Sequence, residues 1–269
     1  MTENQLVPKT AGVSLIEIYN KRSRIIDEVN EYAPWLKLYR EVTYPYLDNL
    51  FSRGSLLLDA GGGTGIFARS LSAEGRRIVV VDVNATMLSR VQVSHSNFLR
   101  CVQGDITDLS MFRSNSFDGI FCTQMLNLVE NRPAAFAEFY RVLRTGGVLF
   151  CDIDGVFRWA VVEMISKRLG NAVAIVNGKD DASEIIGSNY YFISAANFKE
   201  EIKMAGFKKI QLRGIQHFSP LLHAWGDSES FLKGHHGLDL NLLRQLEQAA
   251  ESYDLGYDSA GWIQVTALK

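Results

Sequence analysis

The chain has 269 residues, 47% hydrophobic and 22% charged, and its 28 basic and 30 acidic side chains leave a net charge of −2. That length is enough for one large α/β domain with additions, and the charge balance lacks the basic footprint of a nucleic-acid-binding surface. No apolar run approaches the roughly 20 residues of a membrane helix, and the opening "MTENQLVPKTAGVS" lacks the apolar core of a signal peptide.

In chain order, residues 14–51 show helical spacing in Leu15, Ile18 and Tyr19, then Ile25, Ile26 and Val29, and Pro34 and Pro45 are expected to divide this stretch into two or three pieces. Leu56–Asp59 reads as a buried strand ending in an acid, and Gly65–Ala73 as a helix. "RRIVVVDVN" is a second strand ending at Asp82, "ATMLSRVQVSH" a helix, "FLRCVQGDI" a third strand and turn, and "FDGIFCTQML" a fourth strand. "RPAAFAEFYRVLRTGG" predicts a helix ended by Gly146-Gly147, followed by a fifth strand, "VLFCDID". The strands are short, aliphatic and not alternating, which argues for a parallel, doubly wound sheet covered on both faces. Beyond it, "FRWAVVEMISKRL" looks helical, and "GNAVAIVNGKDDASEIIGSN" reads as a loop-rich insert. "SAANFKEEIKMAGF" is a helix stopped by Gly206, "KKIQLRGIQHF" a strand, "LNLLRQLEQAAESY" a helix and "GWIQVTALK" a last strand. The expected division is a helical cap over 1–54, a core over 55–218 with a cap insert at about 156–189, and a helical insert with the final strand over 219–269.

Cys101, Cys122 and Cys151 are an odd number with no close pair, two of them inside apolar strands. This predicts buried thiols in a reducing cytoplasm, without disulfides or a zinc site. His217, His223, His235 and His236 lack metal-ligand spacing, so no metal is expected.

The stretch "SLLLDAGGGTGIFARSL" carries the strongest functional signal. Gly63 to Ala68 fits the G-x-G-x-x-A fingerprint of a dinucleotide site, in which a pyrophosphate meets the helix N-terminus. The same residues also read as Asp59-x-Gly61-x-Gly63-x-Gly65, with the acid on the tip of the first strand. A carboxylate there repels a pyrophosphate and suits a ligand bearing positive charge. The glycines serve either ligand by letting it approach the backbone closely.

At these residues the chain resembles the class I S-adenosylmethionine-dependent methyltransferases. "LLLDAGGGTG", "VVVDVNATML", "CVQGDI", "FDGIFCTQMLNLVEN" and "RVLRTGGVLFCDI" come in that family's order and spacing over residues 55–154, and "YYFISAANFKEEIKMAGFKKIQLRG" extends the likeness. The resemblance implies a Rossmann-like seven-stranded sheet, mostly parallel with an antiparallel C-terminal strand, and S-adenosyl-L-methionine as cofactor. It implies that Asp59, Ala60, Gly61, Gly63 and Gly65 wrap the methionine part, with Asp59 holding the amino group. Asp82 would accept both ribose hydroxyls, and Val83 and Met87 would flank the adenine. Gly104, Asp105 and Ile106 would read the adenine edge, with Cys122 and Gln124 beneath the sulfonium. Asn127 stands where many relatives carry a His.

Plainer readings stand beside these. Asp105 in "QGDITDL" is equally an Asx turn or helix cap, and Asp154-Gly155 is more simply a turn than a catalytic pair with Asp152. Tyr19, Tyr32, Trp35, Tyr39 and Tyr44 suit core packing or a cap. The additions around the sheet predict an enclosed pocket for a small-molecule substrate, with nitrogen or oxygen methylated; oligomeric state is left open. Tyr190, Tyr191, His217 and His223 are the candidate catalytic side chains. The rival readings are non-methyl chemistry on the same sulfonium, such as a cyclisation releasing methylthioadenosine, and a module that binds the cofactor without turnover.

Overall fold

In the computed structural model, the described residues are 17, 19–20, 33–91, 98–165, 167, 169–177, 190–217, 241–242, 245 and 256–269. The expected helix over 240–253 and the histidines at 223, 235 and 236 lie largely or wholly outside them.

Helix α1 (Pro34–Leu50) precedes the first strand. The core then alternates: β1 (Leu56–Ala60), α2 (Ile66–Ala73), β2 (Arg77–Asp82), α3 (Ala85–Ser89), β3 (Leu99–Gln103), β4 (Phe117–Cys122), α4 (Arg132–Val142) and β5 (Leu143–Asp154). After it come α5 (Val156–Ile165), α6 (Leu169–Val176), α7 (Ala195–Met204), β6 (Lys208–Ile215) and β7 (Trp262–Leu268). The seven strands run in the order β3-β2-β1-β4-β5-β7-β6. β1 to β5 pair in parallel, and β7 is antiparallel to both its neighbours. The doubly wound sheet with a reversed last strand is therefore the fold.

Side-chain alternation along the buried strands sorts the core into two layers. Leu58, Ile120, Leu149, Cys151 and Val265 face α4 and α7, where Phe136, Phe139 and Phe198 are fully buried. Each such aromatic contributes about 1.5–3 kcal/mol through removal from water. Leu57, Val80, Phe121, Phe150 and Trp262 face the opposite way, against α1 and α2. A smaller cluster of Trp159, Ala160, Val162, Ile175, Tyr190 and Phe192 joins α5 and α6 near the end of β5.

Three local expectations change. Pro45 does not divide α1, which runs unbroken for 17 residues with Pro34 in its first turn. The Pro45 ring is exposed, and the buried stripe of Leu38, Tyr39, Thr43 and Leu47 holds the helix to the sheet. α1 is thus one of the sheet's covering helices. The helix before β5 ends at Val142, ahead of the glycine pair. Leu143 already pairs with Phe117, and residues 144–147 loop out before Val148 meets Gly119. The segment read as loop-rich begins with helix α6. Its run of small and aliphatic residues is too short for periodicity to distinguish helix from strand.

Candidate functional site

The order of strands reverses between β1 and β4, and open α/β sheets hold ligands beyond the carboxyl ends of their strands at that point. Both chemistry-bearing acids stand there. Asp59 is 2% exposed and Asp82 8% exposed. Among the described residues no donor is hydrogen-bonded to the Asp59 carboxylate. Burial, and next the charge of Asp82, hold its pKa well above the usual carboxylate range. Asp82 Oδ2 accepts the Gly63 N–H at 2.9 Å and Oδ1 the Asn84 N–H at 2.8 Å. Burial raises its pKa as well, against the opposing pull of those two amides.

The glycine turn between them is tightly built. Gly61 lies in the left-handed region at φ 72°, and a Cβ there would stand 2.5 Å from Met125 Cγ. Gly62 has its own constraint, because a Cβ would fall on the Asp59 carboxylate and 2.7 Å from Val80 Cγ1. The backbone is therefore left bare where a ligand approaches, with two desolvated acids beside it.

A cavity of about 110 Å3 opens on this turn, lined by Gly61, Gly63, Asp82, Val83, Met87 and Gln124, and also by Tyr19, Asn84, Met125 and Leu128. It is smaller than the roughly 300 Å3 at which ligand pockets usually begin. The flexible side chains of Met87 and Met125 occupy its edges, and such side chains re-pack readily. A larger depression, about 680 Å3, lies along β6 and β7 between Tyr46 and Lys199, away from the strand ends. It is lined by no buried acid and no glycine turn, so the smaller cavity is the candidate site on chemical grounds.

Six of the predicted binding residues thus come together on the cavity wall, and the others are not among its lining residues. Ala60 and Cys122 are fully buried in the core. Gly65 is the left-handed N-cap of α2. Gly104 packs on Met111. Ile106 joins the apolar layer under α4. Asp105 makes the Asx turn, its Oδ1 accepting the Thr107 N–H and hydroxyl, each at 2.8 Å. Tyr190 is buried with its hydroxyl donated to Asp154, so burial and that carboxylate push its pKa well above the usual phenol value. Tyr191 is tied by its backbone to Asn127. His217 lies past β6 with Nδ1 3.2 Å from Ser259 Oγ, far along the sheet from the cavity. Asp154 is neither a plain turn residue nor a free acid. It accepts the Trp159 indole N–H at 2.6 Å and pairs with Arg158 at 2.8 Å, while its own N–H is held by Asn127 Oδ1 at 2.7 Å. Among the described residues no three His, Cys, Asp or Glu side chains group as a metal site.

Sequence reasoning did not select Tyr19, Asn84, Met125 or Leu128 for the cavity. Asn84 had a readable signal: it follows the acid of β2 and caps α3 through the Met87 N–H at 3.1 Å. Met125 and Leu128 had a weaker one, lying one and four residues after the predicted Gln124, whereas Tyr19 comes from a segment distant in sequence.

Residues 58–151 match the methyltransferase domain family. A ubiquinone/menaquinone biosynthesis C-methyltransferase of Brucella abortus is 25% identical over 228 residues, covering 77% of this chain and 83% of that protein. The malonyl-[acyl-carrier protein] O-methyltransferase of Pectobacterium atrosepticum is 34% identical over 96 residues, 36% of this chain and 37% of that one. Among solved structures, phosphoethanolamine N-methyltransferase 2 of Haemonchus contortus, in complex with S-adenosyl-L-methionine, superposes with a TM-score of 0.61 at 18% identity, covering 97% of this chain and 61% of that chain. The [4+2]-cyclase SpnF superposes at 0.61 and 14% identity, covering 98% and 99%; both likenesses describe the fold. Residues 58–151 thus form a methyltransferase domain of the class I S-adenosylmethionine-dependent kind. S-adenosyl-L-methionine is the cofactor of this methyltransferase, and the site's chemistry fits it. A bare backbone cradle lies beside a buried carboxylate that has no donor among the described residues, and a second carboxylate keeps lone pairs for a diol. No helix of the methyltransferase, among the described residues, is long and apolar enough to cross a membrane.

Proposed function

We propose that this methyltransferase methylates a carbon or oxygen atom of a small acceptor at the mouth of the glycine-turn cavity. The observation carrying the reading is the pair of desolvated acids, Asp59 and Asp82, each raised in pKa at a turn stripped of Cβ atoms. A buried carboxylate raised by burial and by a neighbouring acid is relieved by a cationic ligand, which makes Asp59 the candidate partner for the cofactor's amino group. The carbon and oxygen acceptors follow the activities in the names of the relatives that share the domain.

In this reading Asp59 holds the amino group, Asp82 the ribose hydroxyls, and the backbone at Gly61 and Gly63 passes close to the methionine chain. Val83 and Met87 flank the adenine, and Asp105 and Ile106 bound its far edge. Bound S-adenosylmethionine supplies a methyl group already activated on a sulfonium. The protein's own task is then to align an acceptor and exclude water, and orientation of this kind supplies roughly 7–11 kcal/mol. Tyr190 is poorly suited to act as a base, since its hydroxyl is committed to Asp154 in a buried site. His217 follows β6, four strands from β1 in the sheet, and is not among the residues lining the cavity; His223 lies outside the described residues.

The test is turnover with methyl-labelled S-adenosylmethionine and a panel of small enolisable or hydroxylated acceptors, with products read by mass spectrometry. Release of S-adenosylhomocysteine with label on a small acceptor is expected. Methylthioadenosine as product would favour the cyclisation-type chemistry, and label on protein or RNA alone would overturn the small-acceptor reading.

A further inference from the structure

Asp152 is fully buried on β5 and takes no part in the assignments above. Two groups converge on its carboxylate from different parts of the fold. The Tyr39 hydroxyl, from α1, donates to Oδ2, and the Gln124 backbone N–H, just after β4, donates to Oδ1 at 2.7 Å. Tyr39 is 1% exposed and packs edge-on to Phe67 of α2 and against Trp262 of β7. One helical turn on, Thr43 accepts the Gln264 side-chain N–H at 2.7 Å, which fixes α1 to β7 beside this contact. Gln124 has φ 55°, a left-handed conformation that costs a side-chain-bearing residue free energy and persists only where its surroundings hold it. Gln124 and Met125 form the cavity wall opposite the glycine turn, with Met125 Cγ against Gly61.

We propose that Asp152 is a positioning residue for the cofactor: held by Tyr39, it fixes Gln124 in its left-handed conformation and so sets the Gln124–Met125 wall of the cavity. A carboxylate is a costly group to bury, and it is retained where its hydrogen bonds do specific work. The groups facing it are Tyr39 from α1, Asp154 along β5, Arg158 from α5 and the thiols of Cys122 and Cys151. Burial raises the Asp152 pKa to about 7; Tyr39, the Gln124 amide and Arg158 draw it down, and Asp154 raises it further. Its ionised form accepts from both donors at once, so the grip on the wall strengthens as pH rises through neutrality.

The inference rests on the assignment of this cavity to the nucleoside, so the experiment separates the two. S-adenosylhomocysteine affinity is measured by calorimetry at pH 8 for Tyr39→Phe, Asp152→Leu, Asp152→Asn and the control Asp82→Ala, with melting temperatures alongside. Asp152→Leu leaves one buried and one part-buried donor without this acceptor and should weaken binding about tenfold or more, the worth of one or two hydrogen bonds to a charged group. Tyr39→Phe should weaken it about threefold. Asp152→Asn keeps an acceptor for the Gln124 N–H and should recover most of the loss. It should also flatten the rise of affinity between pH 6 and 8, a response that a purely structural role would not produce. Wild-type affinity in Tyr39→Phe and Asp152→Leu, with Asp82→Ala weakened, overturns the proposal. If Asp152→Leu does not fold, Tyr39→Phe and the Asp152→Asn pH profile decide, and wild-type behaviour in both overturns it. Unchanged binding in Asp82→Ala defeats the cavity assignment itself.

Discussion

Gly62→Ala tests the architecture of the glycine turn at a position that the Asp59-x-Gly61-x-Gly63-x-Gly65 pattern leaves unspecified. The added Cβ would overlap the Asp59 carboxylate and stand 2.7 Å from Val80 Cγ1. Neither neighbour can yield cheaply. Val80 is fully buried in the layer under α1 and α2, and Asp59 lies one residue from the end of β1, in register with Val80. Overpacking of this kind costs about 1–3 kcal/mol. For a domain of this size each kcal/mol lowers the melting temperature by about 2–4 °C. The same clash moves the Asp59 carboxylate, and a loss of roughly 1.4 kcal/mol in its contact with the cofactor's cationic end weakens binding tenfold. Differential scanning calorimetry and titration with S-adenosylmethionine, on Gly62→Ala beside the half-buried control Gly75→Ala, measure both quantities. Gly75 has open space around it but a φ of 85°, so its alanine variant is strained without touching the site. It should lower stability and leave affinity unchanged. A Gly62→Ala protein with wild-type affinity and melting temperature would refute the reasoning.

Other consequences follow from named contacts. Asp82→Ala removes the acceptor of the Gly63 and Asn84 amides as well as the proposed ribose ligand, and should weaken S-adenosylhomocysteine binding at least several-fold in the same calorimeter. Burial pushes the Asp152 carboxyl up to about 7 from an ordinary value of 3.8, so the folded state binds its proton more tightly than the unfolded chain. Its contribution to stability is therefore complete below about pH 3.8 and is lost as pH rises through 7. Asp152→Asn should flatten that part of the stability profile in denaturant titrations at successive pH values. Asn127→Ala strips the buried partner from the Asp154 N–H and the Tyr191 carbonyl. It should cost about 1–3 kcal/mol by urea unfolding. Burial raises the thiol pKa of Cys122 and Cys151 well above the usual value, so both should resist alkylation in the folded protein and react on unfolding.

Much of this was legible in the sequence because strand ends and turns are local. "LLLDAGGGTG" encodes a strand, an acid and a turn within ten residues, and "RIVVVD" places Asp82 on the neighbouring strand by the same rule. What was not legible depends on pairings across the chain. Tyr39 meets Asp152 over 113 residues of sequence, and Asn127 bonds Tyr191 over 64. Gly62 looked like a spacer because its constraint is the Asp59 carboxylate three residues back and a side chain from β2. The glycine pair at 146–147 looked like a helix stop, but β5 pairing with Phe117 ends the helix first. Pro45 looked like a helix break, but the buried face of α1 holds the helix through it. In each case tertiary contact overrode a local preference.

The central claim is that the acid-tipped first strand and its glycine turn receive S-adenosylmethionine. A crystal structure of the protein with S-adenosylhomocysteine tests it most directly. The account predicts the ribose hydroxyls on Asp82, the amino group on the Asp59 side of the turn and the sulfur beside Gln124. A nucleoside bound elsewhere, or in this cavity with its ribose turned away from Asp82, would contradict it.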